Sequence, residues 1–182
     1  EAYELRDKNK NYFLGKSVSK AVKNINTVIS KSLKNINVED QKKIDQVLLN
    51  LDGTGNKKKL GANALLAVSL AASKAAASAN KKELYQHLGK KFLLPKPLMN
   101  IINGGAHADN NLRVQEFMIR PDSAKNFMDA IEKCFLVIQN LKKILQLKNL
   151  STNVGDEGGF APSIGSNEEA LEMIVDAIEK SK

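Results

Sequence analysis

The sequence predicts an α/β chain in two consecutive parts, helical over residues 1–94 and, over 95–182, the opening of an α/β layer or barrel. Three observations carry this. Apolar residues in the first ninety positions recur at three- and four-residue steps, as one face of a helix requires. The texture changes at Phe92, where Pro95 and Pro97 disfavour helix. Beyond it the order is strand, strand, helix, strand-like turn, helix, the alternation expected of α/β architecture.

The elements follow in order. From Ser17 to Leu33, Val18, Ala21, Val22, Ile25, Val28, Ile29 and Leu33 make one apolar stripe of an amphipathic helix. A second helix runs from about Glu39 to Leu51, with acidic residues in its first turn and Gly53 just past its end. The alanine-rich stretch Gly61 to Ala79 reads as a buried helix, and Glu83 to Leu88 as one more helical piece. Leu98 to Ile102 suits a strand buried on both faces, ended by Asn103-Gly104-Gly105. Val114 to Arg120 is a second strand, closed by Pro121. A long helix then carries Phe127, Ile131, Cys134, Phe135, Ile138, Leu141 and Leu145, and a last one opens on the capping box Ser166-Asn167-Glu168-Glu169.

Composition narrows the function classes. With 42% apolar residues in 182, the chain can bury a core. Cys134 stands alone, so the chain builds no internal disulfide and no cysteine zinc cluster, and a reducing cytoplasmic setting is expected. Asn63, Ser69, Ser73 and Lys74 interrupt the most lipid-like stretch, so no membrane span is expected. The net charge of +8 is uneven: residues 1–100 carry 19 basic and 8 acidic side chains, residues 101–182 carry 9 and 12. It reads first as solubility; no aromatic residues interleave the Lys57-Lys58-Lys59 run, and nucleic acid is not an expected partner.

Three polar interruptions lie at or near the ends of candidate strands. In Asn103-Gly104-Gly105-Ala106-His107-Ala108-Asp109 the glycines permit a sharp bend and present His107, which could bind an oxyanion or shuttle a proton; alone, the loop reads equally as a solvated histidine on a glycine turn. In Gln115-Glu116-Phe117, alternation places a polar residue on each face of a strand. A carboxylate shielded there has its ionised form disfavoured and suits acid work, unless the strand is an edge with Glu116 in water. Gly155-Asp156-Glu157-Gly158-Gly159 sets two carboxylates among glycines; by itself it fits a surface turn. Together the three are what a site at the carboxyl-terminal rim of barrel strands leaves in a sequence. Glu116 and Glu157 are therefore expected to converge in one shielded cavity beside His107. His87, in a short helix, reads as a structural histidine.

At these residues the chain resembles the enolase family. Leu51-Asp52-Gly53-Thr54, Lys59-Leu60-Gly61-Ala62-Asn63-Ala64, Asn103 to Asn110, Gln115-Glu116-Phe117-Met118-Ile119 and Val154 to Pro162 are similar to its motifs in the same order and at similar spacing. The Ala106 and Asp109-Asn110 variants resemble bacterial members, and Glu1 to Asp7 is similar to the stretch after the family's mobile serine loop. The resemblance implies the C-terminal helical part of the family's N-terminal α+β domain (1–94), followed by the first part of a TIM-like α/β barrel (95–182). It implies a glycolytic lyase that interconverts 2-phosphoglycerate and phosphoenolpyruvate, with two Mg²⁺ ions stabilising the enolate between the steps. On this likeness Glu157 is the acid that protonates the departing hydroxyl, Glu116 is its catalytic partner, and the two perturb each other's titration. Gln115 and Glu116 line the substrate pocket, and His107 rides a loop that closes over the phosphate.

The same likeness places the magnesium-binding carboxylates, the lysine base and the phosphate-binding arginine in later barrel strands, and the metal-assisting serine before Glu1. The chain is thus expected to be a piece of a longer protein, to hold no metal ligands, and to be inactive alone. Family habits further imply a homo-oligomer, a cytoplasmic setting extended in some members to the cell surface or to secretion, and surface ligands such as plasminogen.

Overall fold

A computed structural model describes all 182 residues. They form two compact units, Glu1–Phe92 and Leu93–Lys182.

The first unit is helical. α1 (Ser19–Asn24) runs through a π-helical stretch, Ile25–Ile29, into α2 (Ser30–Ser32). Asp7 starts α1 from a distance, accepting the amides of Ser19 and Lys20 at 2.8 and 2.9 Å; these bonds and the one from the Ser17 hydroxyl hold its carboxyl well below the usual range. α3 (Gln41–Asp52) is capped by Asp40, which accepts the Lys43 amide, and ends on Gly53 at φ 69°. That left-handed position is open to glycine at little cost. α4 (Ala62–Ala79) and α5 (Leu84–Leu88) complete the unit. Its core joins Ala21, Ile29, Ile44, Leu48, Leu60, Ala64 and Leu65.

α4 is long and apolar enough to cross a membrane, yet it packs by one face only. Ala64, Leu65, Ser73, Ala76 and Ala77 are buried, whereas Leu66 and Leu70 are 59% and 52% exposed. The expectation of a buried helix thus holds for one face and fails for the other. The short side chains let α1 and α3 approach one face, but a helix offers a second face that this unit leaves uncovered.

The second unit opens with β1 (Met99–Asn103) and β2 (Glu116–Ile119), paired antiparallel, and follows with α6 (Phe127–Leu147) and α7 (Asn167–Glu179). The register slips between Asn100 and Ile102, so Ile101 is the extra residue of a bulge. Ile101, Ile102 and Phe117 are consequently all buried, against Leu141 and Leu145 of α6 and Met173 and Ile174 of α7. Each such side chain contributes about 1.5–3 kcal/mol on leaving water. Phe160 pairs with Ile102 in parallel, placing a third segment beside β1. Asn126 caps α6 by accepting the Asp129 amide at 2.9 Å. Ser166 caps α7 by accepting the Glu169 amide; the reciprocal half of the predicted capping box goes instead to Gly165, whose amide donates to Glu169 at 3.0 Å. Cys134 is buried on the inner stripe of α6, and burial pushes its thiol pKa up.

Candidate active site

The three polar interruptions meet at one end of the second unit. The loop after β1 folds tightly on the strand that follows it: the Gly104 and Gly105 amides donate to the carbonyls of Gln115 and Leu112, at 2.9 and 2.8 Å. A methyl group on Gly104 would stand 2.5 Å from the Val114 carbonyl oxygen, so only glycine allows this approach. A short 3₁₀ turn, Gly105–His107, then delivers the histidine. Two asparagines pin the rest of the loop to the segment after Phe160. Asn110 donates to the carbonyls of Asn103 and Pro162 at 2.9 and 3.1 Å, and Asn111 accepts the Ile164 amide at 3.1 Å.

His107 and Glu116 come together. Nδ1 of the ring lies 3.3 Å from Oε1 of the carboxylate, with the side chains 26% and 27% exposed. The two are aligned too poorly for a hydrogen bond, so Nδ1 is left buried without one. An imidazole and a carboxylate at this distance can hold one another in place for a ligand. β2 is an edge strand, paired with β1 alone, but Glu116 does not stand in water there: about three-quarters of its side chain is shielded.

The glycine-rich turn stands alongside. Gly155 donates to the Gly159 carbonyl at 2.8 Å and Asp156 to the His107 carbonyl at 3.2 Å, while Phe160 donates to Ile101 and Asn103 to Phe160. These bonds tie the turn to β1 and to the histidine loop. A cleft of about 520 Å³ lies between them, lined among others by His107, Asp109, Ser151, Asn153 and Asp156.

Glu157 is placed differently from the expectation of a shared cavity. It is exposed, makes no side-chain hydrogen bond or ion pair, and does not line that cleft. Glu116 does not line it either. The reason is local: residue 157 occupies the tip of the turn, whose anchoring bonds all come from its two stems. Gln115 is also exposed, and it is its main-chain carbonyl that engages Gly104. The structure therefore joins His107 to Glu116 and brings the Glu157 turn against their loop by backbone alone.

Sequence reasoning overlooked Asn103, Asn110 and Asn111 as the residues that hold the loops together. Their signal was available: a polar side chain at the end of an apolar strand must find a partner or a purpose. The residues present do not fit a magnesium site. No group of three His, Cys, Asp or Glu side chains gathers anywhere in the chain, too few donors for a cation that seeks six oxygens.

The antiparallel pair, the parallel third segment and the two helices behind them define the class: an α/β-barrel opening with its polar residues collected at the strand ends. Comparison places it further. Residues 91–182 match the family model described as the enolase C-terminal TIM barrel domain, and residues 1–88 the enolase N-terminal domain. The chain belongs to the enolase family. It is similar to a curated enolase of Pelagibacter ubique (strain HTCC1062), 58% identical over 183 residues; the match covers 100% of this chain and 44% of that protein. The chain thus spans under half the length of the relative it matches.

Proposed function

We propose that the chain supplies the acid side of an enolase active site, in a protein that reversibly dehydrates 2-phosphoglycerate to phosphoenolpyruvate in glycolysis and gluconeogenesis. The observation that carries this reading is the His107–Glu116 pair, 3.3 Å apart, with the Glu157 turn bonded to the carbonyl of the same histidine. In this reading Glu157 transfers a proton to the hydroxyl leaving the substrate, the carbon–oxygen bond breaks, and the hydroxyl departs as water. Glu116 stands 3.3 Å from His107 and helps place its ring. Closing the His107 loop over the phosphate removes water from the reacting atoms, and Gln115 reaches the substrate from the end of the loop that precedes β2.

The proton taken from the carbon beside the carboxylate needs a base that this chain does not place at the site, and Mg²⁺ would need ligands from elsewhere in a longer chain. The 182-residue chain alone is accordingly expected to be inactive. A cytoplasmic setting and a homo-oligomer of the longer chain complete the proposal. The lysines of the first unit additionally suit surface ligands such as plasminogen, a role that retention of plasminogen by the 182-residue chain supports and indifference to lysine analogues removes.

The test is a dehydration assay on the chain at the full length of its relatives, with magnesium, beside the 182-residue chain. Turnover by the first and none by the second is expected; a full-length chain that binds 2-phosphoglycerate without dehydrating it would overturn the reading.

A further inference from the structure

Asn103, the last residue of β1, has no exposed surface although its side chain is polar. Its oxygen accepts the Asn100 carboxamide, and its Nδ2 has no partner. A buried donor left unsatisfied is costly, so its retention calls for a reason beyond packing. The surroundings supply one. A methyl on Gly155 would stand 2.6 Å from Asn103 Nδ2 and 2.7 Å from the His107 carbonyl, and one on Gly159 would strike Asn103 Oδ1. The carboxamide is therefore wedged between the two stems of the turn that bears Glu157. The main chain of the same residue joins the remaining parts: its amide donates to Phe160 at 2.8 Å, and its carbonyl accepts Asn110 of the histidine loop at 2.9 Å.

We propose that Asn103 is a positioning residue of the site, whose carboxamide sets where the Gly155–Gly159 turn, and with it Glu157, stands relative to His107 and Glu116. It touches no reacting group; it acts through the turn. An apolar residue would fill the space, but it would lack a planar polar group that fits against two glycines and keeps a donor free beside Gly155. The inference rests on the acid role proposed for Glu157, and its test separates the two.

The experiment compares Asn103→Ala, Glu157→Gln and their combination in the full-length chain, by steady-state kinetics on 2-phosphoglycerate and by hydrogen exchange of peptides spanning 153–161 and 136–147. Asn103→Ala is expected to lower kcat about 10- to 100-fold, the scale of a misplaced catalytic group, with KM changed less than about threefold. It should speed exchange in 153–161 by about tenfold or more while leaving 136–147 in α6 unchanged, the pattern of local loosening. Added to Glu157→Gln it should cost nothing further, because both act through one group. Losses that multiply, or exchange that accelerates equally in both peptides, would overturn the inference in favour of general destabilisation. Should Asn103→Ala fail to fold, Asn103→Ser, which keeps a smaller donor, is read against the same criteria. A silent Glu157→Gln would remove the acid role while the exchange result still decides whether Asn103 holds the turn.

Discussion

Replacing Asp52 by Ala should cripple the first unit although the residue lies nowhere near the candidate site. Asp52 is 1% exposed at the end of α3, and the segment that follows it folds back onto its carboxylate. The Leu60 amide donates at 2.7 Å and the Thr54 amide at 3.0 Å, joined by the Thr54 hydroxyl. Burial by itself pushes this carboxyl up, but the bonds from Thr54 and Leu60 outweigh it and hold the pKa below 3.8. Hydrogen bonds to a charged group contribute about 1.5–3 kcal/mol each, and the burial of the charge offsets part of their sum. A net loss of about 3–5 kcal/mol is expected on truncation, since the Leu60 amide is also left without a partner. Tyr3, Tyr12 and Tyr85 all lie in this unit and the chain has no Trp, so tyrosine emission during urea unfolding reports on it selectively. With a slope of about 1–3 kcal/mol per molar, the midpoint should fall by about 1 M or more, or the folded baseline should vanish. The pH dependence has a definite sign. A depressed carboxyl contributes fully above the unfolded value of 3.8 and loses its contribution as pH falls through the folded one, so Asp52→Asn should flatten the acid limb below that value. A midpoint shift under about 0.5 M for Asp52→Ala would refute the reasoning, because a surface turn tolerates such a change.

The second unit yields further expectations. Leu141→Ala removes a side chain with no exposed surface and should cost about 2–5 kcal/mol in thermal unfolding followed by far-ultraviolet circular dichroism. Gly155→Ala, whose methyl would meet Asn103 and the His107 carbonyl, should cost about 1–3 kcal/mol by the same measurement; no change would mean that the turn has room to spare. Cys134 should resist thiol reagents in the native chain and react fully in urea, as a thiol buried with its pKa raised requires; prompt native labelling would contradict its place on α6. Asn126→Ala should lower helix stability by about 1 kcal/mol through loss of the Asp129 contact.

Much of this was legible in the residues. The stripe from Ala21 to Ile29, the cap at Ser166 and the breaks at Pro95 and Pro121 locate elements because periodicity and backbone chemistry act locally. Sidedness was harder: the alternation of alanines in α4 does not say which face a partner covers, and Leu66 and Leu70 stand exposed. Pairing direction was not legible either, since the stretch from Gly104 to Gln115 is long enough to return antiparallel without announcing it, and the bulge at Ile101 moves burial by one residue. At the site, residue types identified His107 and Glu116, whose meeting depends on one loop. Glu157 was identified as an acid but not as an exposed one, because where a turn tip points follows from bonds made by its stems.

The central claim is that Glu157 donates the proton on which dehydration depends. The most direct measurement is kcat for 2-phosphoglycerate in the full-length chain with Glu157→Gln, under saturating magnesium, alongside the binding constant for the substrate. A fall in kcat of about 10²–10⁴-fold with binding retained is expected of a lost general acid. Turnover within a factor of about two of the unaltered chain would contradict the account, since removing a general acid costs at least about 10²-fold.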